Sequence, residues 1–600
     1  MAALFSFPQL NPSIAARQGA QAAWSPALAL IAMMAVLPWL LPVHDDPWPT
    51  FHAEATMAAA VLVAAAGLLL RGGAAWRCGR TEAGLLALAC VPVAQAVSGQ
   101  LVYPAEAWTV AACIVGVAGA VLVGRRAQSW QPDALPQALF ASLAAAALLS
   151  AGLAVYQWLD LSWLGLLVEP LGPERRLRAN VGQPNNLSTL LAWGLVGLQW
   201  AFVSRRLHGV AAVAAALFVL FGIALTQSRT GWLQVAFLAV LALRWRAHLG
   251  HRRAVWIALG LAATFAVFVV VLAPLAHALS HEVTLNLHHQ VDAGKRPSIW
   301  AMSLQAIALR PAFGYGWNQV VLAQVALADR FADLHVTVGH AHDVVLDLLL
   351  WNGLPIGVAC CAAALMWWRA QLKAPRTPVQ ATLLAAVGVV ALHALVELPH
   401  VYAFFFLPTG LMVGALAAMA RPRAGLVLPK AAVGLLWLAC AAWLALAWRD
   451  YARIEEGLLS WRLHESSIGM GEPAAVPRPL VLGALQQALE DQRVKPVPGM
   501  SAAALDRMRA NVSRYPTVGH LFRYAKARAL NGDPAEAAWA VTRLCALHLV
   551  DECRAARRDW CAAAAATPAY RAVAWPRIAD GPTPAEHDPN TGRPDECTDG

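Results

Sequence analysis

The chain has 600 residues, of which 59% are hydrophobic and 13% are charged. A soluble globular domain carries about 25% charged residues. This composition, with a mean hydropathy of +0.53, excludes a soluble globular protein and indicates an all-α polytopic membrane protein. The net charge of +10 is no sign of nucleic-acid binding. The basic residues lie in short loops between apolar segments, where they indicate membrane topology.

Apolar segments follow one another from the N-terminal region to about residue 450. About 13 of them are long enough, or nearly so, to cross a bilayer as helices. We expect the first to be a retained helix, because no cleavage-site pattern stands out after it. The predicted spans lie near 24–43, 55–70, 82–98, 107–123, 136–157, 187–203, 209–226, 230–245, 254–274, 343–367, 379–396, 403–420 and 431–448.

The distribution of Lys and Arg predicts the orientation. Every second loop is basic, whereas the loops at 44–54, 99–106 and 397–402 contain neither Lys nor Arg. Basic loops stay in the cytoplasm by the positive-inside rule, so we predict a cytoplasmic N-terminus. The opposite side then holds the loops at 158–186, 227–229, 275–342 and 397–402 and the chain after Trp448.

The chain changes character after about residue 450, where charged and apolar residues alternate and no further span is predicted. The predicted amphipathic helices cover 480–494, 501–514, 517–530 and 535–549. The stretch 527–544 resembles one helix-turn-helix of the tetratricopeptide type. We therefore predict a membrane domain over 1–450, a helical domain over 451–566 and a disordered tail over 567–600.

Four cysteines fall in this C-terminal region: Cys545, Cys553, Cys561 and Cys597. If this region is periplasmic, its even number of cysteines permits disulfides. Their pairing does not follow from the sequence, and four reduced thiols remain an alternative.

Two polar motifs lie at the start of spans on the predicted outer side. The segment 180–186 (Asn-Val-Gly-Gln-Pro-Asn-Asn) predicts a tight turn that presents uncharged amides. A capped turn without further function is the alternative. The segment 227–232 (Gln-Ser-Arg-Thr-Gly-Trp) is a short link that places Arg229 at the membrane surface. A snorkelling arginine is the alternative there, although basic residues are disfavoured on this side.

A third motif lies within the long polar loop at 275–342. Lys295 and Arg296 open a short amphipathic segment that reaches Trp300, and a Gly-rich aromatic turn follows at 311–318. An interfacial helix anchored by Trp is the alternative interpretation.

His340 and His342, followed by Asp343, stand at the start of a long apolar helix. Ionisable residues at a membrane boundary are candidates for function, and a neutral imidazole suits a general base because its pKa lies near working pH. A metal site is disfavoured, since the spacing is no zinc motif and no third ligand stands at a typical offset. A structural histidine pair remains the alternative.

Basic residues also gather on the side where they are usually scarce. Ordinary loop solvation would explain any one of them, but together they predict a site for an anionic group such as a phosphate. They are Arg175, Arg176, Arg178, Arg229, Lys295 and Arg296.

Taken in order, these motifs resemble the O-antigen ligase/polymerase superfamily and, within it, the bacterial O-oligosaccharyltransferases of the PglL type. The resemblance runs from about Arg178 to Pro408 and also fits the helical C-terminal domain. It is carried by Gly182-Gln183-Pro184-Asn185, Ser228-Arg229-Thr230-Gly231, Arg296 through Trp300, Gly314-Tyr315-Gly316-Trp317 and His340-Ala341-His342-Asp343.

The resemblance implies transfer of a glycan from undecaprenyl pyrophosphate to an acceptor hydroxyl in the periplasm, at the bacterial inner membrane, without a metal or nucleotide cofactor. The family's essential histidine directly precedes an Asn at the start of a span. His342 matches that position, with His340 in reserve and Asp343 in place of Asn. Two essential arginines fall on Arg229 and Arg296. Donor and acceptor binding falls to Gln183, Asn185, Arg178, Lys295, Trp300, Tyr315 and Tyr402.

The residues suit that chemistry. Two guanidinium groups neutralise charge on the leaving pyrophosphate, and a histidine removes the proton of the attacking Ser or Thr hydroxyl. We expect inversion at the sugar and a pilin-like or other exported protein as acceptor. The alternatives are ligation of O-antigen to lipid A-core, O-antigen polymerisation and, in another class, transport of a lipid-linked sugar. Polar motifs on one side weigh against a transporter, whose ionisable groups lie near the midplane.

Overall fold

The computed structural model describes residues 26–71, 75–132, 134–171, 176–245, 252–278, 294–371, 377–468 and 475–576. Helices dominate these residues, as the apolar composition predicts. Within these ranges the strands are two of three residues each, β1 (Trp76–Cys78) and β2 (Leu426–Leu428). They pair antiparallel, with Trp76 opposite Leu428.

The helices follow the predicted apolar segments closely. In the N-terminal part they are α1 (Pro26–Val36), α2 (Phe51–Leu70), α3 (Arg80–Val97), α4 (Glu106–Trp130), α5 (Ala134–Trp158), α6 (Pro184–Val203), α7 (Gly209–Leu225), α8 (Arg229–Arg244) and α9 (Arg252–Ala278). Then come α10 (Arg296–Leu309), α11 (Val320–Leu327), α12 (Val344–Gln371), α13 (Pro378–Ala394), α14 (Ala403–Ala420) and α15 (Lys430–Glu465). The C-terminal helices are α16 (Gly483–Gln492), α17 (Ala502–Arg514), α18 (Val518–Leu530), α19 (Pro534–Leu547), α20 (Val550–Ala566) and α21 (Pro568–Arg571).

Among the described residues, eight helices are long and apolar enough to cross a membrane, and α7 and α13 are shorter apolar helices. The class of all-α polytopic membrane protein is therefore confirmed. Each of the 13 predicted segments coincides with a helix, but the number of spans stays a prediction. α1, for example, has 11 residues, about half the length that a span needs.

The chain forms two compact units, and each is assembled from three segments that are not consecutive in the sequence. The first consists of Met1–Val91, Thr109–Asp292 and Ala363–Glu455, and the second of Pro92–Trp108, Ala293–Ala362 and Glu456–Gly600. The sequence divided the chain near residue 450. The structure instead groups the end of α3 and most of the polar loop with the C-terminal helices.

Small residues bring the helices of the first unit close together. A Cβ on Gly194 of α6 would lie 2.2 Å from the Cβ of Ala147, and one on Gly197 would lie 2.6 Å from the carbonyl oxygen of Phe140. Close packing at glycine and alanine is the usual way in which membrane helices associate. The α5–α6 contact therefore depends on the absence of larger side chains.

The C-terminal helices of the second unit pack around their own apolar core, which contains Leu521, Tyr524 and Trp560. Asp533 caps α19 by accepting from the backbone N–H of Glu536 at 3.0 Å. The predicted helix-turn-helix is present as α18 and α19, while its tetratricopeptide type stays a prediction. Residues 567–576, which the sequence assigned to a disordered tail, continue this core through Tyr570, and 577–600 lie outside the described residues.

Two of the four C-terminal cysteines are joined, since Cys545 pairs with Cys553 across the α19–α20 turn. Cys561 is also disulfide-bonded, and Cys597 lies outside the described residues. The sequence left the pairing open because eight residues of spacing permit a bridge without requiring one.

Candidate active site

In the first unit, one side chain ties the Gly-Gln-Pro-Asn turn to two distant segments. The amide nitrogen of Asn185 donates to Glu397 Oε1 at 2.8 Å, and its amide oxygen accepts from Ser228 Oγ at 2.6 Å. Asn185 is 8% exposed, so an unpaired amide here would cost about 1–3 kcal/mol. Asn185 therefore brings together two of the predicted motifs and the Glu397 loop.

The turn before Asn185 is shaped by Gly182, which lies at φ +79°. A Cβ at this position would meet the imidazole ring of His44 at 2.7 Å, so only glycine fits. Gln183 follows as the N-cap of α6, with Pro184 at the first helical position. The half-buried Gln183 thus stands at a helix N-terminus, as the sequence predicted.

Arg229 and Tyr402 also occupy helix starts in the first unit. Arg229 is the half-buried first residue of α8, which Ser228 caps by accepting from the Gly231 N–H at 3.2 Å. Tyr402 is the N-cap of α14 and stacks on Phe404 at 5.2 Å. Burial, reinforced by the negative charges of Glu54 and Glu397, raises the pKa of Tyr402 to about 12, so its hydroxyl remains a donor.

Arg178 is held in an ion pair. Its guanidinium lies 3.0 Å from Glu169 Oε1 and donates to the carbonyl oxygen of Pro170 at 3.0 Å, while His44 Nε2 lies 3.4 Å from the other oxygen of Glu169. Burial raises the pKa of Glu169 against the opposing effect of His44 and Arg178. This pairing gives Arg178 a structural partner beside the turn. Arg175 lies outside the described residues.

In the second unit, the loop before α12 places His340 beside an acid. His340 Nδ1 lies 3.7 Å from Oδ2 of Asp347, which is fully buried, and the imidazole meets the Trp351 ring edge-on at 5.9 Å. The other carboxylate oxygen of Asp347 accepts from the Ala341 N–H at 2.7 Å. This separation is longer than a hydrogen bond, so the loop places beside the imidazole a buried carboxylate of the kind that orients a general base.

His342 lies two residues further on in a left-handed conformation, with φ +55°. Asp343 follows it and caps α12, since Oδ1 accepts from the N–H groups of Val345 at 2.8 Å and Leu346 at 3.0 Å. Asp and Asn are equally good N-caps, which gives a physical reason why Asp stands where the family has Asn. The left-handed backbone is costly for a side chain other than glycine and clusters at functional sites.

Lys295 and Arg296 begin α10, with Lys295 as N-cap and Arg296 as the first helical residue. The ammonium of Lys295 donates to the carbonyl oxygens of Leu334 and His335. Trp300 Nε1 donates to the carbonyl oxygen of Ala341 at 3.1 Å. The basic motif and the histidine motif are therefore brought together within this unit.

The Gly-Tyr-Gly-Trp turn packs against a kink in α12. Gly353, at φ +71°, interrupts the helix, and the Tyr315 N–H donates to the carbonyl oxygen of Leu350 at 2.7 Å. Tyr315 is 2% exposed, and burial raises its pKa while Arg310 opposes the rise. The tyrosine predicted to bind donor or acceptor thus has a packing position that shapes the turn.

Four residues of the predicted motifs share one feature. Gln183, Arg229, Arg296 and Asp343 each lie at the N-terminus of a helix. Backbone N–H groups and the helix dipole make such positions favourable for anions. The first unit holds Gln183, Asn185, Arg178, Arg229 and Tyr402, and the second holds Lys295, Arg296, Trp300, Tyr315, His340 and His342.

Several residues of these clusters were not predicted from the sequence. Gln95 joins the aromatic turn to α12, since its amide accepts from the Trp317 N–H at 2.9 Å and donates to the Trp351 carbonyl oxygen at 2.9 Å. Asp347, the acid beside His340, was also not predicted from the sequence. Both are polar residues inside predicted spans, which is itself a signal of function or pairing. Among the described residues, no group of three or more His, Cys, Asp and Glu side chains has a metal-binding arrangement.

Comparisons with known proteins agree with these motifs. Residues 212–361 match a family described as "O-Antigen ligase", and residues 381–562 match one described as "Virulence factor membrane-bound polymerase, C-terminal". The chain is 29% identical over 541 residues to the "General O-oligosaccharyltransferase" of Acinetobacter baylyi, covering 87% of this chain and 93% of that protein. It is 26% identical over 249 residues to the "ComP-specific O-oligosaccharyltransferase" of the same organism, covering 40% of this chain and 43% of that protein.

The two matched families and the multi-pass helical fold define a membrane-bound glycosyltransferase of the O-antigen ligase type. Within this class, the similarity over most of the chain supports an O-oligosaccharyltransferase of the O-antigen ligase superfamily. The recognition made from the motifs is thereby confirmed.

Proposed function

We propose that this enzyme transfers an oligosaccharide en bloc from undecaprenyl pyrophosphate to Ser or Thr hydroxyls of pilin-like or other exported proteins. Similarity over 87% of the chain to a general O-oligosaccharyltransferase supports this activity. The observation that carries the mechanism is the histidine turn before α12, where His340 lies 3.7 Å from buried Asp347 and His342 has a left-handed backbone.

His342 acts as the general base, with His340 as the alternative. A Ser or Thr hydroxyl is a poor nucleophile, and a positioned imidazole that takes its proton accelerates attack by about 10²–10⁴-fold. The oxygen then attacks the sugar carbon that carries the pyrophosphate, and the bond to the pyrophosphate oxygen breaks with inversion. No metal is required, because pyrophosphate is already an activated leaving group.

Arg229 and Arg296 stabilise the departing pyrophosphate. Each combines a guanidinium with the first position of a helix, α8 and α10 respectively. A guanidinium binds phosphate oxygens in fork geometry, and the helix N-terminus adds a partial positive charge of the same sense. Gln183 and Tyr402 supply neutral donors to the bound substrates. Arg178 holds the turn beside Gln183 through its ion pair with Glu169, and Tyr315 holds the aromatic turn against α12.

The proposed setting is the bacterial inner membrane. The basic loops face the cytoplasm by the positive-inside rule, so the N-terminus is cytoplasmic, and the catalytic motifs and the C-terminal helical domain are periplasmic. The Cys545–Cys553 disulfide supports that side for the domain, because disulfides persist in the periplasm and are rare in the cytosol.

The test is reconstitution in cells that make a lipid-linked glycan but lack their own ligase. The full chain is co-expressed with a pilin-like acceptor, and glycosylation is followed by a mobility shift and mass spectrometry. His342→Ala, His340→Ala, Arg229→Ala and Arg296→Ala are compared with the control variants His208→Asn and Arg205→Ala, which alter exposed loop positions.

We expect glycosylated acceptor with the wild type and both controls, and a loss of at least about 100-fold in the base variant. A loss in His340→Ala but not in His342→Ala would reverse the assignment of the base. Glycan on lipid A-core instead of protein would establish O-antigen ligation, which the matched O-antigen ligase family makes the nearest alternative. Full activity in both histidine variants would overturn the mechanism.

A further inference from the structure

A cavity of about 400 Å³ lies within the first unit, among helices α1, α2, α4, α5 and α14. Its walls are almost wholly aliphatic and include Met57, Gly67, Leu143 and Leu411. The residues of the two catalytic motifs in this unit do not line it. Ligand sites occupy about 300–1,000 Å³, so the space is large enough for a small apolar ligand or one chain of a lipid.

The cavity has a polar end. Arg71, Trp130 and Gln131 line it there, at the C-terminal ends of α2 and α4 and in the short link to α5. The Arg71 guanidinium lies over the Trp130 ring, 4.6 Å from its centroid. Among the described lining residues Arg71 is the one ionised side chain, and none is acidic. The charge at the mouth is therefore positive.

The depth of the cavity matches one leaflet of a bilayer. Met57 of α2 and Arg71, the C-cap residue of the same helix, both line it and are fourteen residues apart, which is about 21 Å at about 1.5 Å a residue. The hydrocarbon core of a bilayer is about 30 Å thick. A chain that starts at Arg71 thus ends just beyond the midplane.

We propose that this cavity binds one acyl chain of an anionic phospholipid, with the lipid phosphate on Arg71. The aliphatic walls take the chain, and the guanidinium pairs with the phosphate in fork geometry. Arg71 lies in a basic loop, which the positive-inside rule assigns to the cytoplasmic side. That leaflet carries the anionic lipids, and basic pockets between membrane helices bind their head groups. The site is separate from the proposed glycan transfer and does not depend on it.

A larger side chain at Gly67 would block the cavity. It lines the cavity, and a Cβ built on it meets nothing within 4 Å. Gly67→Leu therefore starts from a Cβ that meets no neighbouring atom, places its side chain at the cavity wall and improves the helix propensity of α2. Gly119→Leu is the matched control, because Gly119 of α4 also has nothing within 4 Å and does not line the cavity.

The experiment is native mass spectrometry of the purified full chain titrated with phosphatidylglycerol, and separately with phosphatidylcholine. Arg71→Ala removes the proposed phosphate partner. Arg77→Ala is its control, since Arg77 is another basic residue of the same loop and hydrogen-bonds the backbone of Arg423 and Gly425. Melting temperatures of all variants verify that they are folded.

We expect one tightly held phosphatidylglycerol on the wild type and on both controls. Gly67→Leu should abolish that adduct, and Arg71→Ala should weaken it about fivefold, as removal of one cation near the membrane surface predicts. Equal binding of phosphatidylglycerol by wild type and Gly67→Leu would overturn the proposal. So would equal binding of phosphatidylcholine, or displacement of the lipid by a polyprenyl phosphate at equal concentration.

Discussion

His335 Nδ1 lies 3.0 Å from the carbonyl oxygen of His548, so the polar loop before α12 is tied to the turn between α19 and α20. The same nitrogen lies 3.2 Å from the carbonyl oxygen of Cys545. A ring nitrogen between two carbonyl oxygens carries the proton, so His335 donates to both. On its other side, the backbone oxygen of His335 accepts from Lys295, the neighbour of Arg296.

This relationship predicts that His335→Ala lowers glycan transfer. Loss of the shared hydrogen bonds costs about 1 kcal/mol each, which corresponds to roughly a five- to thirtyfold lower rate if the effect passes through Lys295 to Arg296. The rate of transfer and the KM for the lipid-linked donor are measured. His335→Asn, which retains an N–H donor, should recover part of the rate, and His208→Asn should leave it unchanged. An unaltered rate in His335→Ala would contradict the coupling.

The Cys545–Cys553 bridge spans eight residues, so its removal should destabilise the C-terminal helices by about 2–3 kcal/mol. A Cys545→Ser/Cys553→Ser double variant is compared with the wild type in thermal unfolding of the purified protein. Cys90→Ser, which alters an exposed free cysteine, serves as the control. If the double variant and the disulfide-bonded wild type had the same melting temperature, the disulfide would make no contribution to stability.

Arg514 and Glu106 form a buried ion pair at 3.1 Å, with each side chain 10% exposed. The negative charge of Glu106 raises the pKa of Arg514 against the effect of burial. Arg514→Met should lower the free energy of unfolding by about 3–5 kcal/mol, because it leaves a buried carboxylate without its cation.

Adding Glu106→Gln to Arg514→Met should restore part of that loss, which a double-mutant cycle in denaturant unfolding measures. Arg554→Met breaks the exposed pair with Asp551 and should change the stability little. Additive effects of the two substitutions at 106 and 514 would show that the pair makes no net contribution.

His520 of α18 is 5% exposed, and burial lowers its pKa from the ordinary value of 6.5. The folded protein therefore binds fewer protons than the unfolded chain in this range, so stability falls as the pH drops through about 6.5 and levels off below the folded pKa. Melting temperatures from pH 8 to pH 5 should decline less steeply in His520→Asn than in the wild type. Parallel curves would exclude His520 as the cause, and His208→Asn controls for a histidine that is not buried.

Hydropathy alone located the long helices of the apolar part of the chain. Each predicted apolar segment coincides with a helix, because a bilayer requires every backbone N–H and C=O to be paired within the segment. The motifs at 183, 229, 296 and 343 were also recognisable, since cap residues, proline and glycine mark helix N-termini locally.

The tertiary structure decided which of these helix ends meet and what holds them. Asn185 pairs with a glutamate 212 residues away, and His335 with a carbonyl 213 residues away. The sequence places such residues in separate loops, whereas their pairing depends on how the helices pack. The partner of His340 is seven positions away along the chain but is reached only because the turn before α12 folds back onto Asp347. Local propensities fix the helices, and the packing of side chains over long distances in sequence fixes the site.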